Sequence, residues 1–425
     1  MLFMKLKKDE RGFHHFALLL VILVIIVVGF VGVKVSKNRS ETKSKPSEIL
    51  ASKASANEKA TAAGKSLSNG QCSGSGGTTF THLPMDAADF SILIPYGVTV
   101  GGHVTPVDHQ YFSPTVFNSP KDKYPVYAVA DAKITNIEVH PPENGGKGRI
   151  RLVFTVSCTF FYYYDLVTSV EPGIDDKHLP IDVKAGQLIG HIGGQTLDFA
   201  VWNTKKPLSG FVNPASYDAE SWKIYTDNPF PYYTAELRKI VEGKDPRAVE
   251  PIQGKIDYDI DGKLIGNWFV KGSGGYGGSG EDKGDYASGH LSIAPDLYDP
   301  SVIVVSVGNY TSYPQYGPKI DTSSGDGSSA RQYFAKNGAP DPSKVDQNSG
   351  VVKFELVERH WLTPDGSMWD NMTFYKGIKA NNSGAVVGTV LAQMTGKREL
   401  KFEVFPGKPA SEVNSFTSKA KAYTR

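Results

Sequence analysis

The residues best suited to chemistry gather in one short stretch, Gly101-Gly102-His103-Val104-Thr105-Pro106-Val107-Asp108-His109. Two imidazoles and a carboxylate within seven residues, set among Gly and Pro, form a candidate set of metal ligands. Zinc takes neutral imidazole nitrogen and carboxylate oxygen. Loop histidines also hydrogen-bond locally, so the cluster alone does not fix a metal. Further along, Asp165 follows Tyr163-Tyr164, and Thr196 and Asp198 open the run Thr196-Leu-Asp-Phe-Ala-Val-Trp202. A carboxylate can bind a metal or accept a proton when its pKa is suitably placed, whereas a threonine hydroxyl cannot shuttle a proton at neutral pH.

Between these positions lie Pro125-Val-Tyr-Ala-Val-Ala-Asp131-Ala-Lys-Ile134 and Val183-Lys-Ala-Gly-Gln-Leu-Ile-Gly190. The series resembles the lysostaphin-type (LytM-like) zinc peptidase domain of bacterial cell-wall enzymes over roughly a quarter of the chain. That family has a His-x-x-x-Asp element, a Tyr-x-His-Leu strand, a Val-Lys-x-Gly-Gln-x-Ile-Gly hairpin and a closing His-x-His-Phe strand. The resemblance implies three zinc ligands and two assisting histidines. His103 then matches the first ligand, and Asp108 the second with one residue too many between them. Asp198 replaces the third ligand, with His109 an alternate candidate. Asp165 and Thr196 stand where the two assisting histidines belong.

One His and two Asp bind zinc more weakly than an imidazole-rich set, and no imidazole is left on the matched strands for proton transfer. The resemblance therefore implies a degenerate, non-catalytic domain that binds or scaffolds at the cell wall, with no cofactor. One alternative is a zinc-dependent peptidoglycan hydrolase, a metalloendopeptidase with a shifted ligand set that recruits His109 or His140. Another is a surface module that binds sugars or lipids through the C-terminal region.

The elements that must position these residues read as mainly β. Residues 79–215 carry the LytM-like strands, among them Val126-Tyr-Ala-Val-Ala130 and Arg151-Leu-Val-Phe-Thr-Val-Ser-Cys-Thr-Phe160. Residues 216–251 form a helical connector, with Tyr233 to Glu242 as its helix. Residues 252–425 form an antiparallel β-sandwich or small barrel. There Ile256, Tyr258 and Ile260 alternate with charged residues, as do Val352, Phe354 and Leu356, and Leu400, Phe402 and Val404. Such alternation marks sheets with one buried face. Gly266-Asn267-Trp268 is similar to the Gly-x-Trp of lipocalin first strands, but a core tryptophan is the expected reading. Ser288-Gly-His290 and Asp296-Leu-Tyr-Asp299 are candidates for a shared polar pocket. The Gly-rich stretch 272–289 lacks the Gly-Lys-Ser/Thr ending of a phosphate cradle.

Two cysteines in an exported chain invite a disulfide. Cys158, however, falls in phase with Leu152, Phe154, Val156 and Phe160, so a buried free thiol is expected, with Cys72 in a linker. Lys+Arg 46 against Asp+Glu 44 leaves no basic excess for nucleic acid, and Gly 44 with Pro 26 suits a fold of many turns.

Residues 1–12 read as a cytoplasmic stub, 13–35 as one transmembrane helix and 36–78 as a flexible tether. No charge interrupts Gly12 to Val33, and about 20 residues at about 1.5 Å each span a bilayer core. Lys5, Lys7, Lys8 and Arg11 precede the run, favouring a cytoplasmic N-terminus, although Lys34, Lys37 and Arg39 follow it. Gly12-Phe13 resembles a prepilin processing site, but Ala17 stands where prepilins carry Glu, and an uncleaved anchor is expected. The bulk of the chain then lies outside the cell membrane, with peptidoglycan as the expected partner. Protease added to intact spheroplasts should digest the chain beyond Lys34. Protection of that region until lysis would exclude this topology.

Overall fold

Phe160-Phe-Tyr-Tyr-Tyr164 is apolar or aromatic at every position, and a strand of that kind needs cover on both faces. The fold answers this need. The structure is a computed structural model that describes residues 46–140, 148–278, 286–315 and 329–425. The expected transmembrane run lies outside the described residues, and among these no helix is long and apolar enough to cross a membrane. Residues 53–425 form one compact unit.

Helix α1 (Pro46–Leu67) comes first. Eleven strands follow: β1 (Phe90–Ile94), β2 (Gln110–Pro114), β3 (Tyr124–Tyr127), β4 (Ala132–His140), β5 (Arg149–Ser157), β6 (Phe160–Val167), β7 (Ser169–Val170), β8 (Ile181–Val183), β9 (Leu188–Ile192), β10 (Leu197–Asn203) and β11 (Thr226–Asp227). The large antiparallel sheet runs β1-β2-β10-β6-β5-β4-β8, with β11 also on β10, while β3-β9-β7 form a small sheet. The Lys184–Gly190 run therefore does not form a simple hairpin. Its two flanking strands, β8 and β9, join different sheets.

Alternate residues of β6 and β10 enter two different cores. Phe160, Tyr162, Tyr164, Phe199 and Val201 pack with Phe80, Val126, Ile189 and Tyr233 on one face, together with helix α2 (Ala235–Gly243). Phe161, Tyr163, Ala200 and Trp202 pack on the other with Phe211, Tyr217, Phe269 and Tyr276. The second face is covered by residues 214–225, a run of 3-10 turns opened by Pro214 and broken at Glu220 (φ −133°, ψ 58°).

The C-terminal region is a closed antiparallel barrel, the second of the two architectures expected for it. Its first five strands are β12 (Gly266–Val270), β13 (His290–Pro295), β14 (Ile303–Val307), β15 (Arg331–Ala335) and β16 (Val352–Val357). A side hairpin follows, β17 (His360–Leu362) with β18 (Lys379–Asn381). Then β19 (Val386–Gly396), β20 (Glu399–Pro406) and β21 (Lys421–Thr424) close the barrel onto β12. Phe354, Leu356, Leu400, Phe402 and Val404 point into its core, as their alternation predicts. Trp268 is fully buried there, its indole donating to the Leu264 carbonyl and lying under the Arg425 guanidinium at 4.0 Å.

Two further expectations fail. Residues 255–260 are not a strand. The Asp257 carboxylate accepts from Gly210 N–H and that of Asp259 from Asn267 N–H, so side chains serve the neighbouring backbone in place of a ladder. Cys158 is not a free thiol on a strand face. It sits in the β5–β6 turn and is bonded to Cys72. The preceding linker is fixed to the same turn. Ser157 Oγ donates to Gly76 O, Gly76 N–H donates to Thr159 Oγ1, and Cys158 N–H donates to Gly74 O. Gly64 of α1 lies so close that an added Cβ would meet Cys158 O at 1.7 Å. Part of the expected tether is thereby pinned. Closing a loop of 86 residues restrains the unfolded chain and contributes about 2–4 kcal/mol. Cys72→Ser and Cys158→Ser should each lower stability by that amount in urea unfolding, with the double variant no worse than either.

Candidate functional site

The candidate residues collect on the face of the large sheet that residues 214–225 cover. Strand parity places them there. Asp198 shares the side of Ala200 and Trp202, Asp165 that of Phe161 and Tyr163, and Arg151 that of Val153. Asp198 pairs in register with Asp165 on one side and Tyr111 on the other. Two carboxylates directly opposed on one face repel unless each finds a counter-charge.

Asp165 finds Arg151. The guanidinium donates through Nε at 3.0 Å and through Nη2 at 2.9 Å to Asp165 Oδ2, while Leu166 N–H donates to Oδ1 at 2.7 Å. This geometry depends on a bulge in which Asp165 and Leu166 together oppose Arg151, with Leu166 in the left-handed region at φ 64°. Bulges re-aim side chains in this way beside functional sites. The Arg151 guanidinium also lies 5.6 Å from the centre of the Tyr163 ring and 5.7 Å from that of Trp222.

Asp108 finds Lys223. The ammonium donates to Asp108 Oδ1 at 2.9 Å, with both side chains buried. Burial alone would raise the Asp108 pKa, but the Lys223 charge, with His109 beside it, holds the carboxyl well below the usual range. Lys223 also lies 3.6 Å from Glu220 and 4.7 Å from the centre of the Tyr276 ring.

His109 stands between the two halves. Its Nδ1 is 3.4 Å from Asp108 Oδ1 and its Nε2 is 3.3 Å from Asp198 Oδ2. Burial raises the Asp198 pKa to about 6, against the pull of His109, with the nearby Asp165 charge adding to the rise. Thr196 Oγ1 donates to Asp198 Oδ1 at 3.3 Å.

His103 reaches the cluster through a tight turn. Val100 and His103 exchange backbone hydrogen bonds across Gly101-Gly102, where Gly101 has φ 53°. Its ring stands edge-on to His109 at 5.7 Å. His140 is exposed at the end of β4, 3.8 Å from Glu138, and takes no part.

The structure thus assembles His103, Asp108, His109, Asp165, Thr196 and Asp198, and adds Arg151, Glu220, Trp222 and Lys223, which sequence reading missed. Arg151 left a trace in the sequence, as a charge directly before the apolar run Leu152-Val-Phe154. Lys223 left none, because its partner is 115 residues away. His290 and Asp296 do not share a pocket. They sit at opposite ends of β13, where His290 Nε2 meets Tyr276 O and Asp296 accepts from Tyr298 N–H, Asp299 N–H and the Trp361 indole.

A zinc ion needs three or four donors converging at about 2.0–2.2 Å. Here the two ring nitrogens of His109 face different carboxylates, so the imidazole separates Asp108 from Asp198. Among the described residues no three His, Cys, Asp or Glu side chains converge on a metal position. The site as arranged does not fit zinc. Cavities of about 330, 200 and 430 Å³ open elsewhere, and none of these three is lined by Asp108, His109, Asp165 or Asp198.

No protein-family model matches the chain, and no curated protein matches it. Among solved structures it is similar to Helicobacter pylori Csd3, with 16% identity, 39% of this chain and 40% of that chain covered, and a TM-score of 0.24. It is similar to a zinc-containing peptidase from Vibrio cholerae (22% identity, 31% and 38% covered, TM-score 0.24). The catalytic domain of lysostaphin from Staphylococcus simulans is a third (20% identity, 33% and 86% covered, TM-score 0.20). The chain spans about two fifths of the length of Csd3. Likeness at this level carries no inference about chemistry.

The charge network makes opposite demands on its two ends. Asp108→Asn removes the close partner of the buried Lys223 ammonium, leaving the more exposed Glu220 at 3.6 Å, and should lower stability by up to about 3–5 kcal/mol. Asp198 behaves differently. Its folded pKa lies above the unfolded value, so its contribution is fullest below pH 4 and is lost as pH rises through 6. Asp198→Asn should therefore remove part of the wild-type stability decline between pH 4 and 6, on the order of 2 kcal/mol. Urea unfolding of wild type and both variants at pH 4.5 and 7 measures these differences.

Proposed function

We propose that this chain is a membrane-anchored, extracytoplasmic cell-envelope protein whose LytM-like region binds or scaffolds at the cell wall without cleaving it. One observation carries the non-catalytic part. Asp108, Asp165 and Asp198, at three of the family's metal and proton-transfer positions, are buried, and Asp108 and Asp165 are neutralised by Lys223 and Arg151. A zinc hydrolase keeps an open coordination position for water and a group free to move its proton. Asp165, at one such position, is held by a two-point guanidinium contact, and Thr196 at the other is a hydroxyl bonded to Asp198.

The Cys72–Cys158 disulfide supports the extracytoplasmic placement, since such bonds persist in oxidising compartments. A surface sugar- or lipid-binding role for the C-terminal barrel would not use its interior, where Trp268, Phe354, Phe402 and Tyr423 pack together. Residues 53–425, purified with excess zinc, should leave peptidoglycan and glycine-rich peptides uncut while co-sedimenting with cell-wall sacculi. Zinc-dependent cleavage abolished by His103→Ala would establish the hydrolase instead, and failure to co-sediment would remove the wall-binding role.

A further inference from the structure

The zinc implied by the resemblance does not fit the site, yet a buried carboxylate such as Asp108 still needs a positive partner. Lys223 supplies it. Its side chain is 6% exposed, its ammonium donates to Asp108 Oδ1 at 2.9 Å, and the Tyr276 ring stands 4.7 Å away. An ammonium over an aromatic face gains a further attraction when desolvated. The lysine comes from residues 214–225, which also bring Trp222 onto Trp202 and against Arg151. The cation and the cover over the site are therefore one piece of chain.

We propose that the Lys223 ammonium is the resident cation of this site, holding the Asp108 carboxylate that a divalent ion would need and so keeping the site free of metal. This rests on the non-catalytic reading above and extends it, because it names what occupies the metal position. Two donors of a metal site are otherwise in place, since Asp108 Oδ1 already stands 3.4 Å from His109 Nδ1 and His103 lies edge-on to that ring. Removing the ammonium while keeping the stem's volume, as in Lys223→Met, should leave a carboxylate and imidazoles that recruit zinc. Lys223→Arg keeps a cation and should not.

Zinc uptake by the full-length protein, measured by metal analysis after dialysis and by calorimetric titration, tests this. Wild type and Lys223→Arg should take up no more zinc than Asp108→Asn. Lys223→Met should bind it at least about 10-fold more tightly than wild type, with zinc raising its melting temperature. The Lys223→Met/Asp108→Asn double variant should lose that gain. Stoichiometric zinc in wild type, or no gain in folded Lys223→Met, overturns the proposal. Should Lys223→Met not fold, native labelling with an amine-reactive reagent takes its place. Lys223 should stay unmodified in wild type and become reactive in Asp108→Asn, and equal reactivity in the two overturns it. Zinc uptake by a wild type that cuts no sacculi would count against this inference alone. Cleavage of sacculi would count against the scaffolding reading beneath it.

Discussion

Much of this structure follows from three carboxylates, Asp108, Asp165 and Asp198, placed on one face of a sheet at 5% exposure or less. An isolated ionised carboxylate in such a place is penalised by several kcal/mol after relaxation. Each is answered in a different way. Asp165 receives a guanidinium from the neighbouring strand, Asp108 receives an ammonium from outside the sheet, and Asp198 is left the least compensated, its pKa lifted by burial. The order matters physically. Arg151 reaches Asp165 from within the sheet, whereas the ammonium that meets Asp108 comes from the covering chain. Residues 214–225 must therefore fold over the face for the sheet to hold Asp108 ionised.

That cover connects two halves of the molecule. Tyr217 of the cover packs against Phe269 and Tyr276, and its hydroxyl accepts from the Asn267 side chain on the first barrel strand. Trp222 stacks on Trp202 of the sheet. A substitution that loosens residues 214–225 therefore disturbs the counter-ion of Asp108 and the seam between sheet and barrel together. The opposite face of the same sheet, filled by Phe154, Tyr162, Phe199 and their neighbours, carries no such dependence, being held by apolar packing.

Legibility in the sequence follows the range of the forces involved. Alternation along β16 and β20 and the continuous run in β6 were readable, because each reports how many faces of a strand are buried. The cluster His103–Asp108–His109 was readable because it is local. Three features were not. Ile256, Tyr258 and Ile260 alternate like a strand, but Asp257 and Asp259 turn their carboxylates to nearby backbone and the ladder never forms. Cys158 keeps the parity of an apolar face, yet a turn at residues 158–159 ends the strand and directs the sulfur to Cys72. Lys223 could not be assigned to Asp108, since the pairing depends on how a remote segment crosses the sheet.

An ammonium on a four-carbon stem and a divalent ion differ in more than charge. The ion is held by its ligands and leaves one side open, where water or a substrate carbonyl can bind and be polarised. The ammonium arrives attached to the chain that carries it, so satisfying Asp108 and closing the face are a single event. It presents only N–H donors and has no vacant coordination position. Where Asp108 meets the covering chain, the sheet therefore holds an ion pair with no vacant position.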